Sequence, residues 1–344
     1  MAEVDYPAIL AEAWQQHLAP RESDAPTVVS TFAGCGGSSL GYSMAGYREL
    51  LAVEWDDNAV QTFKRNFPGV PVYHGDIAKL SVEQCLSMMG LEPGQLDVLD
   101  GSPPCQGFST AGKRKMNDPR NQLFREYVRL LQGLRPKVFV MENVSGMVKG
   151  KMKLVFAEIL RELKGSGYRV SCRLLNAMYF HVPQSRERLI FIGVREDFGI
   201  EPSHPKAVGK PIAADRAIDG AVVDSCGQPK GLLAARMKKV RPGSNLGKAE
   251  KTAAHFSYVR LPVGRPSMTL QKSVSFGGIT IWHPYEERNL SIGELKRISS
   301  FPDAFVMPED YELAVARMGN SVPPLMMRAI ARHVRQEILR RINA

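Results

Sequence analysis

Val28-Val29-Ser30-Thr31-Phe32, followed by Ala33-Gly34-Cys35-Gly36-Gly37-Ser38-Ser39, is the stretch that decides how this chain folds. The first five residues form a short apolar, β-branched run that predicts a buried strand. The glycines break it in a tight turn, and a helix is expected near 38–45. A strand, a glycine-dense turn and a helix in that order let the backbone approach a nucleotide-like ligand closely. The spacing is Gly34-x-Gly36-Gly37, and Ser39 stands where a dinucleotide fingerprint carries its third glycine, which argues against a nicotinamide or flavin dinucleotide.

On either side the same rhythm continues. A weakly helical start covers 9–18. Leu50-Leu51-Ala52-Val53-Glu54 predicts a second strand with an acid at its end, 57–66 a second helix, and a third strand candidate closes at Asp76 after His74-Gly75. Apolar strands follow at 96–100, 137–142 and 188–194. Strands alternating with helices imply an open, mainly parallel α/β sheet that binds ligands at the carboxyl ends of its strands. From Phe198 to about Pro266 the rhythm gives way to Pro, Gly and basic residues, which reads as a smaller second domain. Gly319-Asn320-Ser321-Val322-Pro323-Pro324 then opens a helix whose Leu325, Met326, Ala329, Ile330, His333, Val334, Ile338 and Ile342 recur at helical spacing and are expected to pack on the first domain. The division predicted is 1–198, completed by 315–344, against 199–314.

With 344 residues, 44% hydrophobic and 23% charged, the chain is neither a disulfide mini-scaffold nor a disordered tail. No apolar run approaches the roughly 20 residues that cross a bilayer, and Met1–Asp5 has no charged lead with an apolar core, so a cytoplasmic location is expected. Five scattered cysteines without a C-x-x-C pair indicate no disulfide framework and no metal site. The net charge of +10 is concentrated: between Gln228 and Lys272 ten Lys or Arg, among them Lys238, Lys239 and Arg241, face one acid, Glu250. Such a run is usually a solvated face. Its Gly and Pro content and weak periodicity favour a phosphate-contacting surface.

Glu54 and Asp76 close successive strands where a carboxylate can accept from a ribose diol. Two acids without a phosphate-binding lysine suit a neutral or cationic adenosine ligand such as S-adenosylmethionine. Cys105 follows Pro103-Pro104 in a turn at a strand's end, an exposed placement where a thiol can be a nucleophile, although a lone cysteine is more often buried packing. The residues after it, from Gly107 to Asn121, are polar and basic and read as a lid over an anionic substrate. Glu142, ending the Val138-Phe139-Val140-Met141 strand, is expected at the same edge as a proton donor.

At this point the chain resembles the C5-type cytosine DNA methyltransferases. The segments that carry the likeness are, in order, FAGCGGSSLG from Phe32, EWD from Glu54, GDI from Gly75, GSPPCQGFS from Gly101, ENV from Glu142, QSRER from Gln184, RPSMTL from Arg265 and GNSVPP from Gly319. Ser30-Thr31 depart from the family's frequent Asp-Leu, and Arg297-Ile298-Ser299 from its common Arg-Leu-Gln. The resemblance implies a Rossmann-like class I S-adenosylmethionine-dependent methyltransferase sheet with a smaller, irregular target-recognition domain. It further implies methyl transfer to C5 of a flipped-out cytosine in double-stranded DNA, with S-adenosylhomocysteine as product, as the modification half of a restriction-modification system beside an independent endonuclease.

By the same resemblance Cys105 attacks C6, Glu142 hydrogen-bonds or protonates N3, and Arg186 and Arg188 hold the base and the catalytic strand. Phe32, Gly34, Gly36, Glu54, Trp55, Asp76, Ile77, Pro104, Asn320 and Val322 line the cofactor pocket. Ser109, Lys113, Arg114 and Lys115 join Lys238, Lys239 and Arg241 on DNA. A thiol cannot reach C6 inside a duplex, so extrusion of the base is required. A monomer is expected. The alternatives are a tRNA cytosine-C5 enzyme, whose group carries a Cys-Phe-Thr tripeptide not found here, a catalytically silent binding protein, and a nicotinamide-dependent oxidoreductase.

Overall fold

A computed structural model describes residues 4–104, 119–148, 152–227, 232–252, 255–272 and 280–344. The chain forms two compact units. One consists of Ala19–Leu175, Glu187–Lys206 and Met327–Ala344, the other of Met1–Leu18, Asn176–Arg186 and Ala207–Met326. This interleaves the sequence more finely than hydropathy rhythm suggests. The N-terminal helix, α1 (Tyr6–Leu18), groups with the later residues because Tyr6 is buried and its hydroxyl donates to the Arg297 carbonyl at 2.8 Å.

The first unit is built on a seven-stranded sheet: β1 (Thr27–Thr31), β2 (Arg48–Glu54), β3 (Val72–His74), β4 (Val98–Gly101), β5 (Val138–Val144), β6 (Tyr168–Asn176) and β7 (Glu187–Arg195). Their spatial order is β3-β2-β1-β4-β5-β7-β6. The first five strands pair in parallel, and β7 runs antiparallel to β5. The helices α2 (Gly37–Met44), α3 (Asp57–Asn66), α4 (Val82–Met89), α5 (Pro119–Leu134) and α6 (Lys153–Gly165) lie between strands in sequence. The α3 helix begins where Asp56 accepts from Ala59 N at 2.8 Å, with Asp57 in its first turn and Lys64 and Arg65 in its last, each charge opposing the helix dipole.

Alternate strand residues face opposite ways. Val29, Leu51, Leu99, Phe139 and Phe191 join a buried cluster with Phe124, Leu130, Leu131, Ile159 and Leu163 from α5 and α6. Phe139 lies over Gly193, its partner across β5 and β7, where an added Cβ would sit 2.0 Å from the ring. Emptying that position by Phe139→Ala costs about 3–5 kcal/mol. On the other face Tyr47 donates to the Ala331 carbonyl at 3.0 Å, tying in α12 (Pro324–His333), whose Ile330 and Ala331 are buried. The apolar stripe read from the sequence therefore packs against the sheet unit from Met327 onward. Its helix starts at Pro324, whereas Gly319 and Asn320 end the preceding one.

The second unit carries the short helices α7 (Ala214–Ala217), α8 (Leu232–Met237), α9 (Leu246–Ala249) and α10 (Ile292–Ile298), with α11 (Tyr311–Asn320) and a two-strand parallel ladder of β8 (Tyr258–Arg260) and β9 (Thr280–Trp282). Met237, Val240, Leu246 and the fully buried Trp282 make a small core. The α10 helix starts with a reciprocal cap between Ser291 and Glu294, and Arg288 binds both Glu294 oxygens at 2.7 and 2.8 Å.

Candidate active site

Register places the chemistry. Thr31 pairs with Val53 on one side and Gly101 on the other, and Gly101 pairs with Met141. The next residues along each chain, Phe32, Glu54, Ser102 and Glu142, therefore line up along the carboxyl-end edge of the parallel strands. The strand order reverses between β1 and β4, the crevice where open parallel sheets bind ligands.

The glycine turn has the geometry the spacing demands. Gly34 and Gly36 have φ of +57° and +97°, and Phe32 is held at +55°, a strained position for a side-chain-bearing residue. A Cβ at Gly36 would lie 2.3 Å from the Phe67 ring. Glu54 braces the turn: its Oε2 accepts from Gly34 N at 2.8 Å, and its Oε1 from Trp55 N at 2.8 Å and Asp56 N at 2.9 Å. Three backbone donors fix this carboxylate and leave lone-pair capacity for one further donor. Trp55 next to it is 76% exposed, an open aromatic face. Asp76 is exposed, caps the turn into the buried Ile77 through Ala78 N at 3.0 Å, and sits beside Glu54 because Gly75 N donates to the Glu54 carbonyl at 3.0 Å. An acid, an open ring and a second acid at neighbouring strand ends fit an uncharged adenosine group. The Gly34–Gly36 cradle admits backbone-close contact.

Across the crevice, Glu142 and Arg188 form an ion pair, Nε to Oε1 at 2.6 Å, with both side chains largely buried. Arg188 is opposite Val144 and Glu142 opposite Ile190, so the two meet diagonally on one face of the β5–β7 ladder. Asn143, which the residue reading passed over except as part of ENV, donates from Nδ2 to the Pro103 carbonyl at 3.2 Å and accepts from Val144 N at 2.9 Å. That bond fixes the buried Pro103, and with it the exposed Pro104, to the residue after Glu142. Cys105, Ser109, Lys113, Arg114 and Lys115 lie outside the described residues.

Residues 27–336 match the C-5 cytosine-specific DNA methylase family. The chain belongs to that family. Among relatives of this DNA methylase, the Type II methyltransferase M1.HphI of Haemophilus parahaemolyticus is 33% identical over 90% of this chain and 86% of its own. The Type II methyltransferase M.NgoPII of Neisseria gonorrhoeae is 29% identical over 94% and 100%. Among solved structures, a DNA modification methyltransferase encoded within an Escherichia coli prophage superposes with a TM-score of 0.77 at 23% identity, covering 92% of this chain and all of that one. A Spodoptera frugiperda DNMT2 variant gives 0.67 at 20% over 93% and 100%. The methylase fold expected from the sequence is thus the fold found, and the enzyme is a cytosine-C5 DNA methyltransferase.

The remaining site residues of the methylase fall in the second unit. Arg186 is buried and spends its guanidinium on three carbonyls, those of Leu270 at 2.9 Å, Gly319 at 2.7 Å and Ser321 at 3.0 Å. It therefore ties the RPSMTL and GNSVPP segments together, and the base contact expected of it gains nothing from this geometry. Asn320 is exposed and Val322 buried at that junction. The basic window is also partly consumed. Lys238 pairs with Glu287 at 3.1 Å, Arg236 pairs with Glu250, and Arg260 holds the Met237 and His283 carbonyls at 2.9 Å each. Lys239, Arg241, Lys248 and Lys251 are exposed; Arg236 first, and then His255 and Lys239, hold the Glu250 carboxyl below its usual range.

Proposed function

We propose that this methyltransferase modifies C5 of a cytosine extruded from double-stranded DNA, using S-adenosylmethionine. The observation that carries the reading is the Asn143–Pro103 hydrogen bond, which delivers the segment leading to Cys105 beside the Glu142–Arg188 pair. Cys105 as thiolate adds to C6 while Glu142 gives a proton to N3, so the electron pair of the 5,6 double bond becomes available at C5. Arg188 occupies Oε1 of Glu142 and leaves Oε2 to meet the base. S-adenosylmethionine, when bound, supplies the methyl group that C5 takes. A solvent base takes the C5 proton, the N3 proton returns to Glu142, and the Cys105 sulfur departs as thiolate, which restores the 5,6 double bond and releases the enzyme.

Glu54 offers its remaining lone pair to the ribose, Trp55 its open face to adenine, and Asp76 an acceptor beside them. Phe32, Gly34, Gly36, Ile77 and Pro104 complete that surface. The second unit is the target-recognition domain, with Lys239 and Arg241 on phosphate; Ser109, Lys113, Arg114 and Lys115, outside the described residues, are assigned to DNA as well. Phosphate contacts offset the few kcal/mol that base extrusion costs. The Type II relatives support a role as the modification enzyme of a bacterial restriction-modification pair, acting as a monomer on cytoplasmic, nucleoid DNA. No helix among the described residues is long and apolar enough to cross a membrane.

The test is incubation with methyl-labelled S-adenosylmethionine and either duplex DNA or tRNA, followed by conversion sequencing of the DNA. Label at cytosine C5 within one short duplex sequence is the expected result. Label confined to tRNA, or none, overturns the reading.

A further inference from the structure

Beneath the glycine turn lies a polar layer that the reaction does not use. Glu49, near the start of β2, sits where the β1–β2 register shifts between Val28 and Val29. Its Oε1 accepts from the Ser39 hydroxyl of α2 at 2.8 Å, and Ser39 reaches the Ser30 hydroxyl of β1 at 3.4 Å. The other oxygen, Oε2, is shut off from solvent and has no partner among the described residues. Asp100 of β4, 2% exposed, lies in the same layer and takes the Tyr42 hydroxyl of α2 at 3.3 Å. The inner face of α2 therefore rests on a half-buried acid, Glu49, whose Oε2 is closed off from solvent, and a fully buried one, Asp100.

Ser39 occupies the place where a dinucleotide fold has a glycine to bring helix and strand into close contact. Here the helix is set instead by a hydroxyl and a carboxyl. We infer that Glu49 is a positioning residue for cofactor binding, acting through Ser39 to set the start of α2 and with it the Gly34–Gly37 turn. The inference rests on the assignment of that turn to S-adenosylmethionine.

An isolated structural carboxyl would be replaceable by an apolar side chain of similar size. Two features argue that this one holds a position. It bonds to the first turn of α2 and not to a surface group. One oxygen is kept buried at a cost that a non-polar residue would avoid. Burial pushes the Glu49 carboxyl up to about 7, with Ser30 and Ser39 opposing the rise. Asp100 is pushed well above the carboxylate range by burial and then by Glu49, with Tyr42 and Ser38 opposing and Glu142 of β5 adding to it. Glu49 is thus the member of the layer that ionises near neutrality. Its ionised form accepts the Ser39 hydroxyl more strongly and favours a cationic cofactor.

Calorimetric binding of S-adenosylhomocysteine and steady-state KM for S-adenosylmethionine, from pH 6 to 8.5, test this in wild type, Glu49→Gln, Glu49→Ala, Ser39→Ala and the Glu49→Ala/Ser39→Ala double variant. Expected are a cofactor KM raised about tenfold in both alanine variants, an unchanged KM for DNA, and a double variant no weaker than either single one. The wild-type KM should fall as pH rises through about 7, and Glu49→Gln should remove that inflection. Should Glu49→Ala fail to fold, Ser39→Ala and Glu49→Gln decide by the same readouts. Moving the acid, with Ser30→Asp in Glu49→Val, should restore cofactor binding. Wild-type cofactor affinity and pH profile in folded Glu49→Gln and Ser39→Ala, or losses that simply add, overturn the inference. Absence of cofactor binding in the wild type would instead overturn the functional assignment.

Discussion

Arg188 on β7 holds Glu142 on β5 through a 2.6 Å contact between Nε and Oε1, and both side chains are mostly out of water. Removing one member of such a pair strands the other's charge. Arg188→Ala should therefore lower kcat by about 10²–10³-fold, and Glu142→Gln by about 10²–10⁴-fold, with duplex affinity within a few-fold of wild type. Single-turnover methyl transfer at saturating DNA measures both. A Glu142→Gln enzyme turning over at the wild-type rate would show that this carboxyl handles no proton.

Gly36 combines a left-handed backbone with a ring 2.3 Å from where its Cβ would be. Gly36→Ala should destabilise the chain by about 2 kcal/mol or more, read from the urea midpoint at constant slope. Trimming Phe67 in the same molecule should not restore cofactor binding, since space is regained while the φ of +97° still opposes a side chain.

Among the basic residues, pairing predicts a ranking. Lys239→Ala with Arg241→Ala should reduce the slope of log K against log salt by about 1.8, or 0.9 for each phosphate released. Lys238→Ala, already paired with Glu287, should change it far less. Filter binding between 50 and 200 mM salt distinguishes these outcomes, and equal effects from all three would mean that the Lys238–Glu287 contact opens on DNA.

His204 is buried, with Nε2 3.2 Å from the Ser171 hydroxyl, and burial, then Arg173 and His333, push its pKa down to about 4. The unfolded chain takes up this proton near 6.5 and the folded chain only near 4. Stability that is complete above the upper value is lost as pH falls toward the lower one. Urea midpoints at pH 7.5 and 5 should differ by less in His204→Gln than in wild type. An identical drop would assign the acid sensitivity to other groups.

The sheet was legible where the sequence carries local signals. The β1 strand and α3 were readable because apolar runs, glycines and the Asp56-Asp57 start are consecutive features. The antiparallel direction of β7 was not, because hydropathy has no sense of direction, and β6 was missed because its residues are mostly half-buried. In the site, residue types at strand ends pointed to Glu54 and Glu142 without revealing their partners. Nothing local says that Glu54 is claimed by three amides or that Arg186 serves carbonyls more than 80 residues away. Glu49 went unread because a charged residue at the start of a strand looks like an ordinary solvent edge until the tertiary fold closes over it.

The interleaved division of the chain limits how such enzymes can be recombined. Ala207–Met326 is one uninterrupted stretch, so a two-joint graft can exchange most of the second unit in a single cassette. The eleven residues of Asn176–Arg186 and the leading helix belong to the same unit but enter from elsewhere. A chimaera that leaves them behind keeps the host's Arg186 facing a foreign set of carbonyls. Donor and host in a productive swap must therefore place the backbone carbonyls at 270, 319 and 321 alike, whatever side chains they carry there.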